Sequence, residues 1–102
     1  MDHLQIFSDF FEHAAIDQRI GTAHISVYMA LLQLFVKARC AGTLSVNRKE
    51  VMDLARIQGR GTYQKCMKEL EQYGYIVYSP SFNPVIKCEV QLLNLEKRLS
   101  TL

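Results

Sequence analysis

From Asn47 to Ile76 the chain runs through a helical pattern of apolar and polar positions twice, with a glycine-containing break between, and then enters a strand. In the first pattern Val51, Leu54 and Ala55 fall three and four apart on one face, and Ile57 closes it. Asn47 offers a side-chain oxygen to the free amides at its start, and Gly59 ends it. In the second, Tyr63, Met67, Leu70 and Gly74 share a face, with Cys66 and Tyr73 on the flank. Gly61, Gln64, Lys65, Lys68 and Gln72 lie opposite. An apolar side fit for a core is thus backed by a basic, amide-rich side.

The flanking segments extend this pattern. Residues 22 to 39 read as a helix with Thr22 as N-cap and Ile25, Met29, Leu32 and Val36 on one face. Val27, Tyr28, Leu31, Leu34 and Phe35 make it apolar on other sides too, leaving Ser26, Ala30, Gln33 and Lys37 as a weakly polar stripe. After the turn at Ala41 to Thr43, Leu44 to Val46 suit a short strand. Tyr75 to Ser79 and Ile86 to Leu92 suit a hairpin, in which Ile86, Cys88, Val90 and Leu92 alternate with Lys87, Glu89 and Gln91. The loop between them holds Pro80 and Pro84, which restrict its backbone; Phe82 caps the core or sits at the loop tip. Asp2 to Ala15 reads as an amphipathic helix with Leu4, Phe7, Phe11 and Ala14 aligned and Ile6 and Phe10 beside them. Leu95, Leu99 and Leu102 show helical spacing at the other end.

The string RGTYQKCMKELEQYGYI resembles the recognition helix and wing entry of small bacterial winged helix-turn-helix DNA-binding regulators, through Thr62, Tyr63, Lys65, Lys68, Glu69, Leu70, Glu71, Gly74 and Ile76. It departs from that family's pattern in a shorter Ala55–Thr62 segment and in the bulk of Tyr63. The resemblance implies an α+β, mainly α fold: a winged helix-turn-helix with an extra N-terminal amphipathic helix and a possible short C-terminal one. One domain is expected over 1–102, divided into an extension (1–21), a winged-helix core (22–93) and a tail (94–102). A chain of 102 residues with 49% hydrophobic content suffices for one core.

Charge sharpens the expectation. The net charge is only +2, but between Asn47 and Lys68 six bases (Arg48, Lys49, Arg56, Arg60, Lys65, Lys68) face two acids. From Met1 to His24 four acids face Arg19. A basic centre beside an acidic end suits phosphate contact by the centre. The expected function is therefore sequence-specific binding of double-stranded DNA by a transcriptional regulator. Arg60, Thr62, Gln64 and Lys65 would reach base edges, and Arg48, Lys49, Lys68, Asn83 and Lys87 would hold phosphates. For Thr62, a helix-capping role is the alternative.

The apolar terminal segments either fold back on the core or form a homodimer through Leu4, Phe7, Phe11 and Ala14, as a reader of two half-sites requires. Two rival readings stand beside this one: a winged helix used as a protein-contact adaptor in a replication or DNA-mobilisation assembly, and a ligand-responsive or enzymatic protein with a pocket near Tyr28, Phe35 and Tyr73. Catalysis is not expected. His3, His13 and His24 lack metal-ligand spacing, no nucleophile elbow or phosphate loop occurs, and no metal or cofactor is called for. Cys40, Cys66 and Cys88 have no CxxC spacing and read as reduced thiols. No secretion signal or membrane span is legible, so a cytoplasmic location is expected.

Overall fold

The computed structural model describes residues 3–39, 42–79 and 88–93. Along the chain these form α1 (His3–Ile16), α2 (Thr22–Ala38), β1 (Thr43–Val46), α3 (Arg48–Ala55), α4 (Arg60–Gln72), β2 (Ile76–Ser79) and β3 (Cys88–Leu92). The described part is therefore mainly helical with a small sheet, an α+β arrangement. The expected residues of the β2–β3 loop, including Phe82, Asn83 and Lys87, and the C-terminal leucines lie outside the described residues.

The central helix α2 is apolar on more than one side because it is packed on more than one side. Val27, Tyr28 and Leu31 are fully buried, and α1, α3 and α4 all pack against it. The Ile25–Met29–Leu32–Val36 face is the shallower one; Val36 is exposed and Met29 half-buried, while Leu32 is buried. Its N-cap is Gly21 rather than Thr22. The Gly21 N–H donates to His24 Nδ1 at 3.0 Å, so the imidazole ring does the work of a capping side chain.

Helix α1 folds back along α2 by its Ile6–Phe10 side. Phe10 is fully buried, stacked on Tyr28 with ring centroids 3.9 Å apart and edge-on to Tyr75 at 5.5 Å. Asp9 and His13 are buried on the same side, with Gln5 donating to Asp9 at 2.7 Å.

Helix α3 starts as expected, the Asn47 side chain accepting from the Lys49 amide at 2.8 Å. It stops earlier than expected, at Ala55. Arg56 takes the left-handed conformation (φ 60°) and the Ile57 amide bonds back to the Met52 carbonyl, so Gly59 is not its terminator but the N-cap of α4. Leu54, expected on the inner face, is exposed, and Met52 packs on the core in its place.

Helix α4 buries Tyr63, Cys66, Met67 and Leu70 as expected. Gly74 is not on that helical face: it is the left-handed residue (φ 87°) of a turn in which the Tyr75 and Gly74 amides return to the Leu70 and Glu71 carbonyls. That turn feeds β2 directly. The sheet order is β1-β3-β2, all antiparallel, with Val90 of the middle strand opposite both Leu44 and Tyr78. Val90 and Leu92 point inward and Glu89 and Gln91 outward, the alternation read in the sequence.

Candidate nucleic-acid interface

Helix α4 is locked to its neighbours by both carboxylates of its Lys-Glu-Leu-Glu run. Glu69 Oε1 receives a hydrogen bond from His24 Nε2 of α2 at 3.0 Å, and Oε2 receives one from the Tyr73 hydroxyl at 3.2 Å. Because His24 Nδ1 already accepts from Gly21, the ring proton belongs on Nε2, facing Glu69. The bond from His24 holds the Glu69 carboxyl below the ordinary range, with smaller help from Tyr73 and Lys65 against the cost of desolvation. Glu71 accepts from the Tyr78 amide at 2.9 Å, occupying an outward N–H of edge strand β2. Helix α3 is tied to α2 through the Ser26 hydroxyl, which donates to the Ala55 carbonyl at its last turn.

A second set of bonds fixes the α1–α2 connection against the far end of α4. Asp17 takes a bidentate pair from the Arg19 side chain at 2.8 and 2.9 Å, a bond from the Arg19 amide at 3.1 Å and one from the Tyr75 hydroxyl at 2.9 Å. The Arg19 guanidinium lies over the Tyr73 ring, 4.2 Å from its centroid. The Arg19 hydrogen bond, with that from Tyr75, holds the Asp17 carboxyl far below the usual aspartate range despite its desolvation. Sequence reasoning missed both sets of bonds. They join residues as far as 58 positions apart, and the local signal open to it was the pairing of Glu69 with Tyr73 at helical spacing.

With its inner side anchored, α4 turns its other side outward. At about 100° per residue, Gly61, Lys65 and Lys68 form the centre of the exposed strip, with Gln64 beside them and Gln72 at its end. Arg60 stands on one edge, where it lines an open cleft of about 450 Å³ with Arg48, Lys49, Met52, Asp53, Ile57 and Gln58. Thr62 stands on the opposite edge, about 160° around the helix from both Arg60 and Gln64. It is the third residue of α4 and therefore not its cap, a position held by Gly59.

The structure thus brings Gln64, Lys65 and Lys68 together, sets Arg60 with Arg48 and Lys49, and leaves Thr62 apart. All seven of these side chains are exposed, and among the described residues none of the five cations is in an ion pair. Gly61 adds clearance: a Cβ there would meet no atom within 4 Å, so nothing inside the fold requires a glycine.

No protein-family model, curated protein or solved structure matches the chain. Among the described residues no helix is long and apolar enough to cross a membrane.

Proposed function

We propose that the chain is a winged helix-turn-helix protein that binds double-stranded DNA sequence-specifically, as a transcriptional regulator does. The observation that carries the reading is the exposed side of α4. It presents Lys65, Lys68, Gln64 and Arg60, with none of these cations in an ion pair among the described residues, on a helix whose inner side is packed in the core and whose flanks are held by His24 through Glu69 and by the Tyr78 amide through Glu71. A rigid helix of 13 residues with one such side suits the DNA major groove, which admits a single α-helix. The order α2-β1-α3-α4-β2-β3 and the strand order β1-β3-β2 support the winged-helix assignment, with α3 and α4 as the helix-turn-helix pair and β2 and β3 as the strands on either side of a wing.

On this reading Arg60, Gln64 and Lys65 reach base edges from the first turns of α4. Lys68, Arg48 and Lys49 hold phosphates on either side. Thr62 contacts the groove wall rather than the same bases as Arg60, because the two lie on opposite edges of the helix. The glycine at position 61 lets the α4 backbone come close to the DNA.

Selection of bound fragments from random duplex DNA tests the proposal. A winning site should emerge, and Arg60→Ala or Gln64→Ala should weaken that site by roughly 1–3 kcal/mol while leaving random DNA nearly unchanged. No enrichment, together with no binding to any duplex at low salt, would reject DNA binding. It would favour the adaptor reading, for which the exposed apolar groove between α1 and α2 speaks.

A further inference from the structure

The turn that ends α3 opens onto the cleft of about 450 Å³. Arg56 takes the left-handed conformation there, and the Ile57 amide returns to the Met52 carbonyl at 3.0 Å. Met52 and Ile57 are half-buried, pack on the core and give the cleft its apolar lining. Arg48 and Lys49 line it from the start of α3, Arg60 from the start of α4. Asp53 and Gln58 complete the lining. We infer that this cleft binds a free nucleoside monophosphate whose base carries an amino group.

The size suits a small molecule, since ligand sites span about 300–1,000 Å³. The charge selects the anion. Arg48, Lys49 and Arg60 are in no ion pair among the described residues, and Asp53 is the one carboxylate of the lining. Three cations against one acid leave an excess of two positive charges. A phosphomonoester, with a charge of about −1.5 to −2 near neutral pH, neutralises that excess, whereas a backbone phosphodiester brings a single charge.

Asp53 selects the other end of the ligand. Its carboxylate forms neither an ion pair nor a side-chain hydrogen bond among the described residues. It stands in the last turn of α3, where the helix dipole disfavours an acid, and it weakens the cleft for a bare phosphate. An ionised carboxylate only accepts hydrogen bonds, so the group it recognises is a donor; the Gln58 amide can both donate and accept. Met52 and Ile57 offer a surface for a flat ring, and a methionine thioether makes favourable contacts with aromatic rings. A phosphate, a planar aromatic body and an amino donor within one small molecule describe a nucleotide such as adenosine monophosphate.

Nucleotide binding itself is independent of the DNA reading. Its consequence rests on that reading: Arg48, Lys49 and Arg60 are shared, so a bound nucleotide displaces duplex DNA.

An NMR titration of the whole chain without DNA, using adenosine monophosphate, adenosine and inorganic phosphate as separate probes, tests the inference. Adenosine monophosphate should bind more tightly than either other probe by about tenfold or more, with amide shifts concentrated between Arg48 and Gly61. Asp53→Asn supplies the signature that a plain cluster of cations lacks. It should weaken adenosine monophosphate by about fivefold, the loss of one hydrogen bond, and tighten inorganic phosphate. Arg60→Gln should weaken both, and it keeps the test decisive if the first variant fails to fold. Equal affinity for adenosine monophosphate and inorganic phosphate would overturn the inference, as would tighter binding of both by Asp53→Asn. A short adenylate strand with a terminal phosphate that outcompetes the free nucleotide would also overturn it, assigning the cleft to a strand end. A parallel duplex titration separates the two readings. Nucleotide binding without duplex binding upholds the inference and rejects the DNA reading; duplex binding without nucleotide binding does the reverse.

Discussion

Two buried tyrosines separate what a hydroxyl costs from what it contributes. The Tyr28 ring is fully buried, its hydroxyl finds no hydrogen-bond partner among the described residues, and burial pushes its ionisation far above the ordinary tyrosine value. Tyr75 is equally buried, but its hydroxyl donates to Asp17. Tyr28→Phe is therefore expected to leave stability unchanged or raise it by about 1 kcal/mol, and Tyr75→Phe to lower it by about 1–2 kcal/mol. Urea titration of the pair checks the contrast, and equal losses would mean that Tyr28 has a partner after all. The acceptor in the second case carries a pH signature. The Asp17 carboxyl is held below its unfolded value of about 3.9, so its contribution is complete above that value and is lost as pH falls from there toward the lower native value. Asp17→Asn should be less stable than wild type at pH 7, and the gap between their melting temperatures should close as pH drops below about 4. A gap that stays constant between pH 7 and pH 3 would show that the carboxylate charge is not what stabilises the connection.

Helices with one apolar side are legible in the sequence, and helices with two are not. The inner side of α4 (Tyr63, Met67, Leu70) and the alternation of β3 follow directly from their periods, because each has one choice of inward face. In α1, Leu4–Phe7–Phe11 and Ile6–Phe10 are neighbouring stripes of similar hydropathy. Only the fit of Phe10 between Tyr28 and Tyr75 decides which goes inside. The early end of α3 is hidden from sequence reasoning because an arginine, not a glycine, adopts the left-handed turn. Likewise, the basic character of the candidate site is legible, while its subdivision depends on where α4 begins. Starting that helix at Arg60 puts Gly61 in the middle of the exposed strip, and this yields a test of the element. Ala is a better helix former than Gly, and the Cβ would enter open space, so Gly61→Ala should raise stability by about 0.5–1 kcal/mol. The same methyl should weaken DNA binding by holding the backbone off the groove. A variant that is more stable and binds equally well would mean that this side of α4 is not the one approached.

For the molecule as a whole, a net charge of +2 is too small to attract DNA, so any attraction must come from how the charge is distributed. The Cα radius of gyration is 13.0 Å, whereas the screening length at physiological salt is about 8 Å. Exposed charges more than a screening length from the strip contribute little to a duplex lying along α4, so the acidic N-terminal segment need not cancel the basic centre. Each lysine that meets a phosphate releases close to one counterion, so Lys65→Ala and Lys68→Ala should each reduce the slope of log affinity against log salt by about one unit, and the double variant by about two. Glu12→Gln, on the exposed side of α1, should leave that slope unchanged. Fluorescence anisotropy on one duplex from about 50 to 300 mM salt, the range over which phosphate contacts weaken most visibly, measures all four variants in the same way. If Glu12→Gln alters the slope as much as the lysine variants do, the duplex lies across α1 rather than along α4. If none of the four differs from wild type, the strip on α4 does not meet phosphate at all.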